Sequence, residues 1–211
     1  MMMDKIDYKK TEKALYQPKK TPSVVTVPPM TMLMVDGQGD PNDPAGSYSE
    51  AVGLLYALSY TIKMSKMGAD KPAGYFEYVV PPLEGLWWMA GREGVDYAHK
   101  ELFIWTAMIR QPEFVDEAVF RWACQEVQSK KGLDTAKARL ATLDEGLCIQ
   151  CLHTGPYDDE PATVAKLHQF AADEGLTLDY ANRRHHEIYL SDPRRTQPEK
   201  LKTVLRLPVT R

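Results

Sequence analysis

His185-His186-Glu187-Ile188-Tyr189-Leu190-Ser191-Asp192-Pro193 reads as a short strand that ends in a turn. Side chains alternate across a strand, so Ile188 and Leu190 share one face while Glu187 and Tyr189 share the other. A carboxylate and a phenol therefore project together from a rigid element. The neighbouring His185 and His186 diverge to opposite faces and form no H-E-x-x-H helix with His153, so no metal site is expected.

Working outward from this strand, Asp159, Glu160 and Pro161 open a helix whose Val164, Leu167 and Ala171 face a core, and Glu174-Gly175 ends it. Before it come a hairpin (Ala138 to Leu143, then Leu147 to His153) and the turn Thr154-Gly155-Pro156-Tyr157-Asp158-Asp159; Leu201 to Leu207 is a last strand. The first half has a similar order. Ser23 to Val27 and Met32 to Val35 form a hairpin, and Ser47-x-x-Glu50 is a capping box that opens a helix to about Gly68. Tyr48, Ala51, Leu55, Leu58 and Ile62 make that helix's apolar stripe, and Tyr56 and Tyr60 lie four apart on a neighbouring face. Tyr75 to Val80 is expected as a strand. The run from Pro81 to Met89 then reads as a break whose adjacent Trp87 and Trp88 face opposite ways, and Leu102 to Ile109 is a strand containing Trp105.

Set side by side, the halves show three matches in the same order. Gly39-Asp40-Pro41-Asn42-Asp43 aligns with Gly155 to Asp159, Phe76-Glu77-Tyr78 with His186-Glu187-Ile188, and Met108-Ile109-Arg110-Gln111-Pro112 with Val204-Leu205-Arg206-Leu207-Pro208. The expected fold is α+β: two strand-helix-strand-strand repeats forming a pseudo-two-fold antiparallel sheet, with helices packed on it and a central ligand groove. Residues 1–20 form a polar N-terminal arm with Tyr8 and Tyr16 as anchors. Residues 21–211 form one domain: repeat one at about 21–112, a linking helix at about 113–131 and repeat two at about 135–211.

The bulk properties remove several function classes. The chain has 211 residues, 44% hydrophobic and 26% charged, with a net charge of -3, so nothing electrostatic favours nucleic acid. No secretory leader and no membrane-spanning run is visible, which points to the cytoplasm. Cys148 and Cys151 lie three apart on a strand and so point to opposite faces, which suits neither a zinc knuckle nor a redox pair. Gly37-Gln38-Gly39 lacks the third glycine and the following helix of a phosphate cradle, and no serine-hydrolase pattern appears. No cofactor is called for.

The segments His153 to Pro161, His186 to Pro193 and Thr203 to Arg206 resemble the GyrI-like small-molecule-binding proteins, over about residues 21 to 210. Regulators in that family carry a DNA-binding domain, and the arm here is too short for one. Tyr60 to Lys63, Pro82 to Trp88 and Trp105 to Pro112 look like a stand-alone subgroup, the cyclopropanoid cyclopropyl hydrolases, which open the cyclopropane of yatakemycin-type DNA alkylators within an aromatic cage. The resemblance implies planar, hydrophobic small molecules as partners and places Glu187 at the floor of the pocket. A glutamate among aromatics suits water activation, with Tyr189, Tyr157 or Tyr60 as proton donor and Trp88 and Trp105 stacking on the ligand. Tyr56, His153 and Trp122 complete the candidate lining. The competing readings are a binder that sequesters without chemistry and an inhibitor of another macromolecule.

Overall fold

The computed structural model describes residues 5–68 and 71–211. The elements in chain order are α1 (Tyr8–Thr11), α2 (Lys13–Tyr16), β1 (Ser23–Val27), β2 (Met30–Gln38), α3 (Ser47–Met64), β3 (Leu83–Trp88), β4 (Ile104–Arg110), α4 (Glu117–Lys131), β5 (Ala138–Leu143), β6 (Gly146–Thr154), α5 (Glu160–Asp173), β7 (Thr177–Leu178), β8 (His185–Tyr189) and β9 (Lys202–Thr210). The strands form one antiparallel sheet in the order β1-β6-β9-β8-β3-β4-β2-β5, with β7 beside β9. This is the expected α+β fold of two strand-helix-strand-strand units. Its pseudo-two-fold axis passes between β8 and β3, and the hairpins exchange strands, so that β1 pairs with β6 and β5 with β2.

One sheet face carries the long helices. Leu55, Leu58 and Ile62 of α3 recur at helical spacing and are fully buried against Leu33, Ala107 and Ile109. Each such side chain contributes about 1.5–3 kcal/mol of burial. The α4 helix adds Ala123 and Val127 to this cluster, while α5 covers Ile149, Cys151, Leu205 and Leu207 in the second half. Asp116 caps α4 through the amides of Ala118 and Val119, and Gly132, at φ 65°, ends it in the left-handed conformation.

The other face is covered by the arm, which buries Tyr8, Leu15 and Tyr16. Beneath it runs a chain of buried charges. Glu145 accepts from His186 Nδ1 and Arg206 Nη1, both at 2.9 Å, and His186 Nε2 lies 2.9 Å from Glu84. Arg110 forms a two-pronged pair with Glu12 of the arm at 2.6 and 2.9 Å. Arg110 and Arg206, aligned in the repeat, thus occupy matching buried places on the same face.

Three expectations are corrected. Tyr75 to Val80 is not a strand: Tyr78 makes one parallel bridge, to Ile6, and the true partner of β8 is β3. The alignment of Glu77 with Glu187 falls with it, because Glu77 pairs with Lys66 at the surface, 2.7 Å away. Ser47 does not cap α3. It is the first helical residue, and its hydroxyl donates to Gln38 O at 3.1 Å.

Candidate active site

Alternation along β8 puts His185, Glu187 and Tyr189 on the helix-bearing face at the centre of the sheet. Gly85 lies directly across from Glu187 on β3. A Cβ at Gly85 would come 2.6 Å from Trp87 Nε1 and 3.2 Å from the Tyr189 hydroxyl. The missing side chain gives room for a short relay. Trp87 Nε1 donates to the Tyr189 oxygen at 2.9 Å, and Tyr189 donates to Glu187 Oε2 at 2.7 Å. His185 Nε2 lies 3.1 Å from the other oxygen, Oε1.

A second carboxyl closes on the first. Glu160, the first residue of α5, is 0% exposed, and Glu187 is 6% exposed. Tyr97, from the connection between β3 and β4, donates to Glu160 Oε2 at 2.9 Å and reaches Glu187 Oε1 at 3.5 Å. Among the described residues, Glu160 Oε1 has no hydrogen-bond partner. Two buried carboxyls this close cannot both stay ionised. Burial, then the charge of Glu187, pushes the Glu160 carboxyl well above its usual range. Burial alone would also raise Glu187, but hydrogen bonds from His185 and Tyr189 hold it below the ordinary value. The pair is therefore an acid, Glu160, beside a base, Glu187.

Around the pair stand Tyr48, Trp87, Tyr97, Phe103 and Tyr157. Tyr48 meets Trp87 at 5.3 Å and Trp105 edge-on at 5.0 Å, and Tyr157 meets Tyr189 edge-on at 5.6 Å. Burial keeps these phenols protonated, and Tyr157 is pushed up to about 12. They can donate but not accept a proton at neutral pH. Glu160, His185 and Glu187 also place ligand-type atoms within 4.8 Å of one another, and these are the residues that could hold a divalent cation. Two cavities, of about 360 and 450 Å³, open elsewhere, beside Leu176 and beside Pro18, and neither touches this cluster.

The structure brings Glu187, Tyr189 and Tyr157 together, with Trp105 one ring away through Tyr48. It sends Trp88 to the opposite side of β3 from Trp87, under the Arg184 guanidinium at 5.1 Å. Trp122 packs against the α3–α4 core. Tyr56 and Tyr60 form their own pair at 6.3 Å, and Tyr60 is 49% exposed. His153 lies under α5, bonded to Thr163 Oγ1 at 2.9 Å and Pro156 O at 3.0 Å, where it secures the turn leading to Tyr157. Sequence reasoning missed Glu160, read as a helix-start residue, Tyr97, which lies between the Pro81–Met89 run and the Leu102–Ile109 strand and which no motif marks, and Tyr48, read as plain core. Once β3 is placed beside β8, the parity of Gly85 and Trp87 with Glu187 identifies the correct tryptophan.

Because Gly85 leaves no slack, Gly85→Ala should displace Trp87 and Tyr189 and cost about 1–3 kcal/mol of stability through overpacking. Urea unfolding beside a circular dichroism spectrum matching the parent would check this.

The family model described as the GyrI-like small molecule binding domain matches residues 20–210. No curated protein matches the chain. Among solved structures, an uncharacterized conserved protein from Listeria innocua is 51% identical, with a TM-score of 0.92, covering 98% of this chain and 100% of its own. Two structures from the same organism described as hydrolases are 50% and 49% identical, with TM-scores of 0.91 and 0.88 and the same coverage.

Proposed function

Because this chain belongs to the GyrI-like small molecule binding domain family, we propose that its aromatic site takes up planar hydrophobic xenobiotics and hydrolyses a cyclopropane conjugated to a carbonyl, so protecting the cell from alkylators of that kind. The observation that carries this reading is a pair of buried carboxyls, Glu160 and Glu187, bridged by the Tyr97 phenol and walled by aromatic rings. Burial and their mutual repulsion favour a proton on Glu160, and the hydrogen bonds from His185 and Tyr189 favour the carboxylate on Glu187. The description of two similar Listeria innocua structures as hydrolases supports the reaction class.

The chemistry follows from the pair. Glu187 takes a proton from water as the water oxygen bonds to the methylene carbon of the ring. The carbon–carbon bond breaks, and its electron pair runs through the conjugated system to the carbonyl oxygen. That oxygen takes the proton of Glu160 and becomes a phenol. One water is added, and one proton then returns from Glu187 to Glu160 to reset the site. Edges and faces of Tyr48, Trp87, Tyr157 and Trp105 suit a flat substrate, and the low local dielectric strengthens each charge interaction.

Incubation with a cyclopropane-fused dienone alkylator, followed by mass spectrometry, tests the proposal. The expected product is one water heavier and forms faster than in buffer. Binding with solvolysis only at the buffer rate would leave a sequestering protein instead.

A further inference from the structure

Both carboxyls of the site are buried, so a ligand reaches them only if something moves. The fifteen-residue connection between β3 and β4, residues 89–103, is the element built to do so. Among the described residues its backbone hydrogen bonds are local from Met89 to Leu102: His99 N to Asp96 O at 3.1 Å, Leu102 N to His99 O at 3.0 Å and Phe103 N to Lys100 O at 3.1 Å, with a bridge between Met89 and Arg92. Only at its last residue does the backbone reach outside, Phe103 O accepting from Gly39 N at 2.8 Å. Gly91 and Gly94 both sit at positive φ, 71° and 72°, so the segment bends at residues that other side chains would strain. Met89 and Phe103 anchor its two ends in the core, and what ties the span between them down is side chains: Val95 and Tyr97 packed on that core, Tyr97 bonded to Glu160 and Glu187, and Lys100 in an ion pair with Asp158 just before α5.

We infer that residues 89–103 form a lid over the Glu160–Glu187 pair, with Tyr97 as its latch, and that the lid opens to admit ligand and closes to rebuild the pair's hydrogen bonds. This extends the hydrolytic reading of the same site and rests on it for its kinetic consequence. Segments held by few backbone bonds open at low free energy, and lid motion commonly limits turnover. Tyr97 is thereby a positioning residue. Its phenol meets both carboxyls only when the lid is down, so acid and base are matched only after bulk solvent has been shut out and the one reacting water enclosed.

Two measurements test the lid. Amide hydrogen exchange should show residues 91–102 exchanging together, faster than β3 and β4, and Tyr97→Phe should speed that opening about tenfold, the size of one lost hydrogen bond. Lys100→Cys and Asp158→Cys joined through a reducible bifunctional thiol reagent of the length of a lysine–aspartate pair should lower kcat/KM by about tenfold or more in the oxidised, bridged form, with recovery on reduction. The two glycine hinges and the local bonding leave the backbone fold intact in either variant, which exchange in β4 and β9 monitors. Unchanged exchange in Tyr97→Phe, or equal turnover of the oxidised and reduced forms, would overturn the lid. Exchange needs no substrate. If it responds as expected while no form hydrolyses the alkylator, the hydrolytic reading fails and the lid stands.

Discussion

Glu187→Gln is expected to lower turnover of a cyclopropane-fused dienone by about 10²–10⁴-fold, the usual range for a lost general base, while substrate binding stays near its original strength. Glutamine keeps the shape of the side chain and still offers its one oxygen to Tyr189, while its NH2 group can donate to His185 Nε2 in the tautomer that leaves this nitrogen an acceptor, so the strand and its aromatic surroundings should hold. What it loses is the capacity to take a proton from water, which is needed only as the transition state forms. The loss should therefore appear in kcat and kcat/KM alike, with KM little changed. Glu160→Gln removes the proton donor instead. It should flatten the high-pH limb of the rate profile, because that limb reflects loss of the proton that burial and Glu187 keep on Glu160. A parallel rise in KM for Glu187→Gln would assign Glu187 to binding.

The largest effect on stability is expected on the opposite face of the same central strands, beneath the arm. Glu145→Ala leaves His186 and Arg206 as buried positive charges with Glu84 as the remaining carboxylate, and removing one partner of such a cluster costs about 3–5 kcal/mol. Urea unfolding followed by fluorescence reads this directly. The same cluster sets a pH signature. Burial would lower His186, but Glu145 and Glu84 raise it from 6.5 to about 9. Its contribution is therefore complete below 6.5 and is lost as pH rises through about 9. Burial would raise Glu145, but His186 and Arg206 bring it from 4.5 down to about 2. Its contribution is present above 4.5 and is lost as pH falls through about 2. In Glu145→Ala the acid-side loss from this group should vanish, and the alkaline loss should shift to lower pH.

The fold was legible where a local pattern fixes one answer. Period-two alternation in residues 185–190 set the faces of β8, helical spacing set α3 and α5, and the paired arginines Arg110 and Arg206 revealed the repeat. β3 was illegible because its sequence, Leu83-Glu84-Gly85-Leu86-Trp87-Trp88, follows Pro81-Pro82 and carries a glutamate and a glycine where a central strand should be apolar. Both exceptions have distant causes. Glu84 is buried against His186 on one face, and Gly85 makes room beside Glu187 on the other. Tyr75 to Val80 has the composition of a strand, but among the described residues its one strand-like pairing is with Ile6 of the arm. The site was half legible for the same reason. Glu187 and Tyr189 come from one strand, whereas Glu160 and Tyr97 reach them from a helix start and a connection 63 residues apart, a meeting no local pattern encodes.

The proton held on Glu160 beside an ionised Glu187 is the feature on which the proposed chemistry turns, and infrared spectroscopy reads it most directly. At pH 7 the protein should show a protonated-carboxyl carbonyl band that shifts in heavy water, disappears in Glu160→Gln and persists in an Asp192→Asn control. A spectrum without that band, or one in which Glu160→Gln leaves it in place, would contradict the assignment of Glu160 as the acid beside an ionised Glu187.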